Sequence, residues 1–149
     1  MQIIGFNYTK MSSQKSEDFA AGKAPTMNLE FLDIKEEKST PFADKKALIV
    51  KFQYILDYAK IEKKKEISQA DITIEGNIII AADKKEVEKI IKEWKKKKLD
   101  NRFKIFIFNF ILKKCSVKAI ISQEELGLPH HIPMPQLNIT KVPNADSDK

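Results

Sequence analysis

The chain has one cysteine, four glycines, two histidines and one arginine in 149 residues. Each scarcity excludes something. A lone cysteine, Cys115, rules out an internal disulfide and a cysteine metal cluster. It reads as a small buried hydrophobe within a helix. Four scattered glycines leave no glycine-rich loop to cradle a phosphate. The histidines, His130 and His131, are adjacent. In an extended segment neighbours point to opposite sides, so the pair is poorly placed to share a metal, and a contact role is expected. Carboxylates are plentiful but lie among lysines on apparent outer faces. Neither catalysis nor a cofactor is expected. Met1-Gln2-Ile3-Ile4 has neither a basic region nor a long apolar one, so no signal peptide is read and the cytoplasm is the expected location. No apolar run approaches the roughly 20 residues that span a bilayer, so no membrane is expected as a partner.

Charge is plentiful. Charged residues make up 32% of the chain, and the net charge is +6. Basic character could suit nucleic acid or another acidic surface. Yet Arg102 is the only arginine among 27 basic residues, and bidentate phosphate recognition favours arginine. A solvated lysine surface is the preferred account of the charge.

The chain is organised around Arg102–Leu126. Phe103-Lys104-Ile105-Phe106-Ile107-Phe108-Asn109-Phe110-Ile111-Leu112 holds four of the nine phenylalanines, and only Lys104 and Asn109 interrupt it. A segment apolar on nearly every side is expected to be covered on nearly every side. Asp100 or Asn101 can cap a helix start, Val117, Ile120 and Ile121 keep helical spacing, and Gly127 with Pro129 supplies the stop. One long central helix is predicted. Before it, Asp83-Lys84-Lys85-Glu86 has a capping-box pattern. Val87, Ile90, Ile91 and Trp94 then form an apolar stripe on a shorter helix.

Four strands precede the helices. Ile4, Phe6 and Tyr8 alternate with polar residues, and 11–26 reads as a loop or loose edge. Met27, Leu29 and Phe31 alternate, with Ile34 out of phase. Leu48, Val50, Phe52, Tyr54, Leu56 and Tyr58 hold strict parity. Ala59–Glu66 makes a hairpin connection. Ile72, Ile74, Ile78 and Ile80 follow, with Gly76 on the same parity, where a bulge or close packing is plausible. Leu128–Leu137, with prolines at 129, 133 and 135, should lie extended over the domain. The fold class is therefore α+β, an antiparallel meander of four strands with both helices on one face. One domain is expected over 1–142, with a disordered tail at 143–149.

The remaining feature is apolar surplus. Ile49, Ile55 and Ile79 lie on the second face of the sheet, which two helices on one side cannot reach. Such area commonly marks a binding surface. Self-association, as a dimer or tetramer, is one way to cover it.

Tyr8-Thr9-Lys10 is similar to the segment ending the first strand of the SecB family of export chaperones. Pro135-Gln136-Leu137-Asn138-Ile139 resembles a Pro-Gln-Leu-Asn-Leu segment of that family, and the order of four strands, short helix and long helix is shared. The resemblance implies a homotetramer that holds unfolded polypeptide in apolar grooves without a cofactor. SecB is acidic where it meets the export motor, and it continues into a C-terminal helix. This chain is basic and has only Thr140–Lys149 after the motif, so the fold carries over better than the motor partner. The expected contact residues are Tyr8, Ile49, Ile55, Ile79, Leu128, Ile132, Met134 and Leu137. Two functions are thus expected from the sequence. The first is ATP-independent binding of unfolded polypeptide. The alternative is a basic RNA- or ribosome-associated protein using Lys63–Lys65 and Lys95–Lys98.

Overall fold

The structure, a computed structural model, describes residues 1–20, 22–37 and 45–137. Four strands come first: β1 (Gln2–Lys15), β2 (Thr26–Glu37), β3 (Lys46–Glu62) and β4 (Lys65–Ala82). Two helices follow, α1 (Lys84–Lys95) and α2 (Asn101–Leu126). The fold is α+β, and every strand pair is antiparallel.

The strand order is β1-β4-β3-β2. The expected meander therefore holds for β2, β3 and β4 only. The chain crosses from β1 to the far side of the sheet, and β1 pairs with β4. Parity cannot encode this, because a strand's alternation names its buried face and not its neighbour.

β3 and β4 are the centre. Leu48, Val50, Phe52, Tyr54, Leu56 and Tyr58 are all buried and face the helices. They pair with Ile80, Ile78, Gly76, Ile74, Ile72 and Ala70 across the ladder. Gly76 is needed because Phe52 lies over it; a Cβ there would sit 2.8 Å from the ring and 2.5 Å from Asn7 O. The out-of-phase Ile34 is explained by a register shift between Phe31 and Asp33. The extra residue, Leu32, is exposed, and Ile34 returns to the buried face.

β1 departs from its expected pattern. Register shifts fall between Ile3 and Gly5 and between Tyr8 and Lys10. Ile3, Phe6 and Tyr8 pack against the core, while Ile4 is exposed. Of the polar stretch expected as a loop or loose edge, the first part continues β1, an edge strand, to Lys15, because its backbone pairs along β4 as far as Ala70. The β3–β4 connection tightens to a two-residue turn, Lys63-Lys64, with φ of 50° and 64°.

Asp83 caps α1 by position, but its side chain makes no capping hydrogen bond. The capping box is not formed; Glu86 instead approaches the Met1 amino group at 3.8 Å. α1 ends in a left-handed residue, Lys97 at φ 57°. Lys97 N donates to Trp94 O and Lys98 N to Glu93 O, at 3.0 and 2.9 Å. Leu99 is buried just beyond. Asp100 then caps α2, its side chain accepting from Arg102 N at 2.9 Å. Gly127, at φ 63°, closes α2 as expected, with Leu128 N donating to Gln123 O at 2.8 Å.

α2 buries Phe103, Ile107, Ile111, Cys115, Ala119 and Gln123, one residue in every four. Large side chains give way to small ones along this stripe. Cys115 and Ser116 lie beside Tyr54, where a bulky strand residue needs a small helix residue. Burial pushes the Tyr54 hydroxyl and the Cys115 thiol each up to about 12. Cys115 is thus the buried hydrophobe expected. The tail at 143–149 and the domain end at 142 lie outside the described residues.

Candidate binding surface around the long helix

The unusual surface lies on α2, not on the open face of the sheet. α2 packs on the sheet with one side only, because 26 residues of helix are placed over a single face and none of the described residues covers the other side. The apolar segment was expected to be covered nearly all round. Instead Ile105 is 59% exposed, Phe106 42%, Val117 59% and Ile121 49%. Asn109 and Lys113 separate the two pairs along that outer face.

Two clefts flank the N-terminal half of α2. One, of about 240 Å³, has Ile90, Phe103 and Phe106 as its apolar floor, with Glu86, Lys89 and Arg102 among its rim residues. The other, of about 260 Å³, lies between β2, the end of α1 and the start of α2. Leu29, Phe31, Trp94, Leu99 and Phe108 line it. Phe31 and Phe108 pack with ring centroids 4.6 Å apart. Trp94, on the apolar stripe of α1, is half-buried.

At the other end of α2, residues 128–137 form neither helix nor strand, with a bend at His131-Ile132. A network of polar contacts centred on Tyr58 and Gln123 fastens this strap. Tyr58 Oη donates to Pro129 O at 2.5 Å, Gln123 Nε2 donates to Tyr58 Oη at 2.8 Å, and His131 Nδ1 lies 3.0 Å from Gln123 Nε2. His130 Nε2 meets Glu124 Oε1 at 2.5 Å. The histidines therefore contact different partners. Burial, and secondarily His130, hold His131 below its ordinary range. Among the described residues no group of three His, Cys, Asp or Glu side chains could hold a metal.

The expected contact residues scatter. Ile132, Met134 and Leu137 are exposed on the strap. Leu128 is buried in the core, because the Gly127 turn folds it back under the helix end. Tyr8 is half-buried on the helix side of the sheet, its hydroxyl donating to Lys114 O at 3.1 Å. Ile49, Ile55 and Ile79 are half-buried on the open face. Ile49 pairs with Ile79, which abuts Gly5. Ile55 lies apart, beyond the Lys51–Asn77 and Gln53–Glu75 pairs. Gln53 donates to Glu75 at 2.9 Å, so polar contacts divide that face. The open face thus offers less contiguous apolar surface than its isoleucines suggest.

Residues missed from the sequence are Ile105, Phe106, Val117 and Ile121 as surface, and Phe31 with Phe108 as a cleft wall. The exposure of the first four was unreadable in a run apolar on all sides.

Lys63–Lys65 lie at the β3–β4 turn, and Lys95–Lys98 at the end of α1, all exposed. Among the described residues no helix is long and apolar enough to cross a membrane. No protein-family model matches the chain, and no curated protein sequence matches it.

Proposed function

We propose that this chain is a SecB-like, ATP-independent binder of unfolded polypeptide in the cytoplasm, and that it works as a homo-oligomer, a dimer or tetramer. The observation that carries the proposal is the uncovered outer face of α2. Ile105, Phe106, Val117 and Ile121 stand in solvent on a rigid helix, with an apolar cleft on either side of its first half. Exposed apolar side chains of this kind, here two pairs with Asn109 and Lys113 between them, mark a partner surface in soluble proteins. A helix presents it already ordered, so the ordering cost of binding falls on the client chain alone. The Tyr8-Thr9-Lys10 segment and the order of elements add the SecB likeness.

The same face suits a second copy, so client binding and self-association draw on one resource. Light scattering of the pure protein, alone and with an unfolded client, separates them. The expected result is an oligomer that slows client aggregation without ATP and changes little with moderate salt. An absence of protection, together with tight RNA binding that collapses as salt rises, would overturn the proposal in favour of the lysine clusters at 63–65 and 95–98.

A further inference from the structure

We infer that the cleft between β2, the end of α1 and the start of α2 is an anchor site for an aromatic side chain flanked by acidic residues. This rests on the polypeptide-binding reading and specifies the segment it prefers. The walls are aromatic and apolar: Phe31, Trp94 and Phe108, with Leu29 and Leu99. At about 260 Å³ the cleft lies just below the range of roughly 300–1,000 Å³ usual for small-molecule sites, so it suits one anchoring side chain. Offset or edge-on packing against its rings is what an incoming aromatic ring favours.

The rim sets the charge preference. Lys97 and Lys104 border the cleft, and neither has an ion-pair partner among the described residues. Among the described residues Glu30 is the only carboxylate on that rim. An acidic neighbour of the anchor therefore meets two unpaired cations, and a basic neighbour is repelled. Lys97 carries a second signal. It occupies the left-handed position that ends α1, at φ 57°, where glycine is the residue of low cost. A lysine held there keeps a charge over the cleft at the expense of backbone strain. The single Glu30 and the half-buried rings suit a peptide better than a polyanion, which would need a longer basic track.

Trp94 is the only tryptophan, so its emission reports on this cleft alone. The experiment titrates the full chain with short synthetic peptides carrying phenylalanine anchors flanked by glutamates, the same peptides flanked by lysines, peptides with alanine anchors, and oligouridylate. The expected result is a blue shift with the acidic aromatic peptide and affinity about fivefold weaker for the basic one. Alanine anchors should give no shift. Lys97→Gly should weaken the acidic peptide by a similar factor while raising the melting temperature, so lost binding cannot be mistaken for lost folding. Lys104→Gln should add to the effect. Equal affinity for acidic and basic peptides overturns the charge preference while leaving polypeptide binding in place. Oligouridylate shifting Trp94, with every peptide silent, overturns it in favour of nucleic acid. A Trp94 shift that follows only the protein's own concentration assigns the cleft to a second copy and overturns it too. Silence of Trp94 with all probes, alongside persistent protection of an unfolded client, removes this cleft and spares the broader function.

Discussion

Gly76 is locked against Phe52: a Cβ added to the glycine would lie 2.8 Å from the ring, and 2.5 Å from the backbone oxygen of Asn7 on the adjoining strand. The ring cannot move, since Phe52 is fully buried, and the carbonyl belongs to β1. Gly76→Ala should therefore destabilise the protein by about 1–3 kcal/mol, through overpacking rather than a lost contact. Urea denaturation measures this directly. An unchanged midpoint would mean that β1 can swing away from β4 at little cost.

The β3–β4 turn makes the opposite prediction. Lys63 and Lys64 both have positive φ, where non-glycine residues cost about 1–2 kcal/mol each. Neither side chain has an ion-pair partner among the described residues. Lys64→Gly should raise stability by up to about 1 kcal/mol, the gain being reduced by the extra freedom of glycine in the unfolded chain. A lower melting temperature would show that this turn is not left-handed in solution.

The strap responds to pH through His131. Burial first, and His130 second, keep its folded pKa below the ordinary 6.5. Below that value the unfolded chain takes a proton that folded His131 refuses. Stability from this group is complete above 6.5 and is lost as pH falls toward the folded pKa. The surrounding groups are His130, paired with Glu124, and Gln123 with Tyr58 behind it. His131→Gln keeps a hydrogen-bonding side chain and has no proton to gain, so its urea midpoint should fall less on mild acidification. Parallel slopes for variant and parent would assign the acid sensitivity to other groups.

Much of the fold was legible because its signals are local. Asp100 and Gly127 are read from residue type alone, and both serve as expected. The parity of Leu48 to Tyr58 survives intact because a central strand has a neighbour on each side and no freedom to slip. What failed was non-local. The position of β1 beside β4 depends on a crossover that alternation does not encode. Ile4 looked buried by parity, and a bulge turned it outward. The exposed apolar side of α2 was hidden for a related reason. Ile49, Ile55 and Ile79 stood out against polar neighbours, while Ile105 and Phe106 were hidden in a run apolar throughout. Their exposure follows only from how many sides of α2 the sheet can cover.

That asymmetry of α2 yields the most discriminating test. Ile107 and Ile111 face the sheet and are fully buried; Val117 and Ile121 face away. Ile111→Ala should cost about 2–5 kcal/mol by opening a cavity. Val117→Asp with Ile121→Asp places charge in solvent, so the dilute protein should stay within about 0.5 kcal/mol per change of the parent. At higher concentration the parent should be more stable than this variant, because assembly adds to stability by mass action and the charged face cannot assemble. Sedimentation should show the variant shifted to smaller species, with protection of an unfolded client reduced. Ile49→Ser with Ile55→Ser, on the divided open face of the sheet, should change both far less. If the sheet pair abolishes assembly and client protection while the helix pair leaves them intact, the partner surface is the open face of the sheet, and the outer side of α2 is apolar without being used.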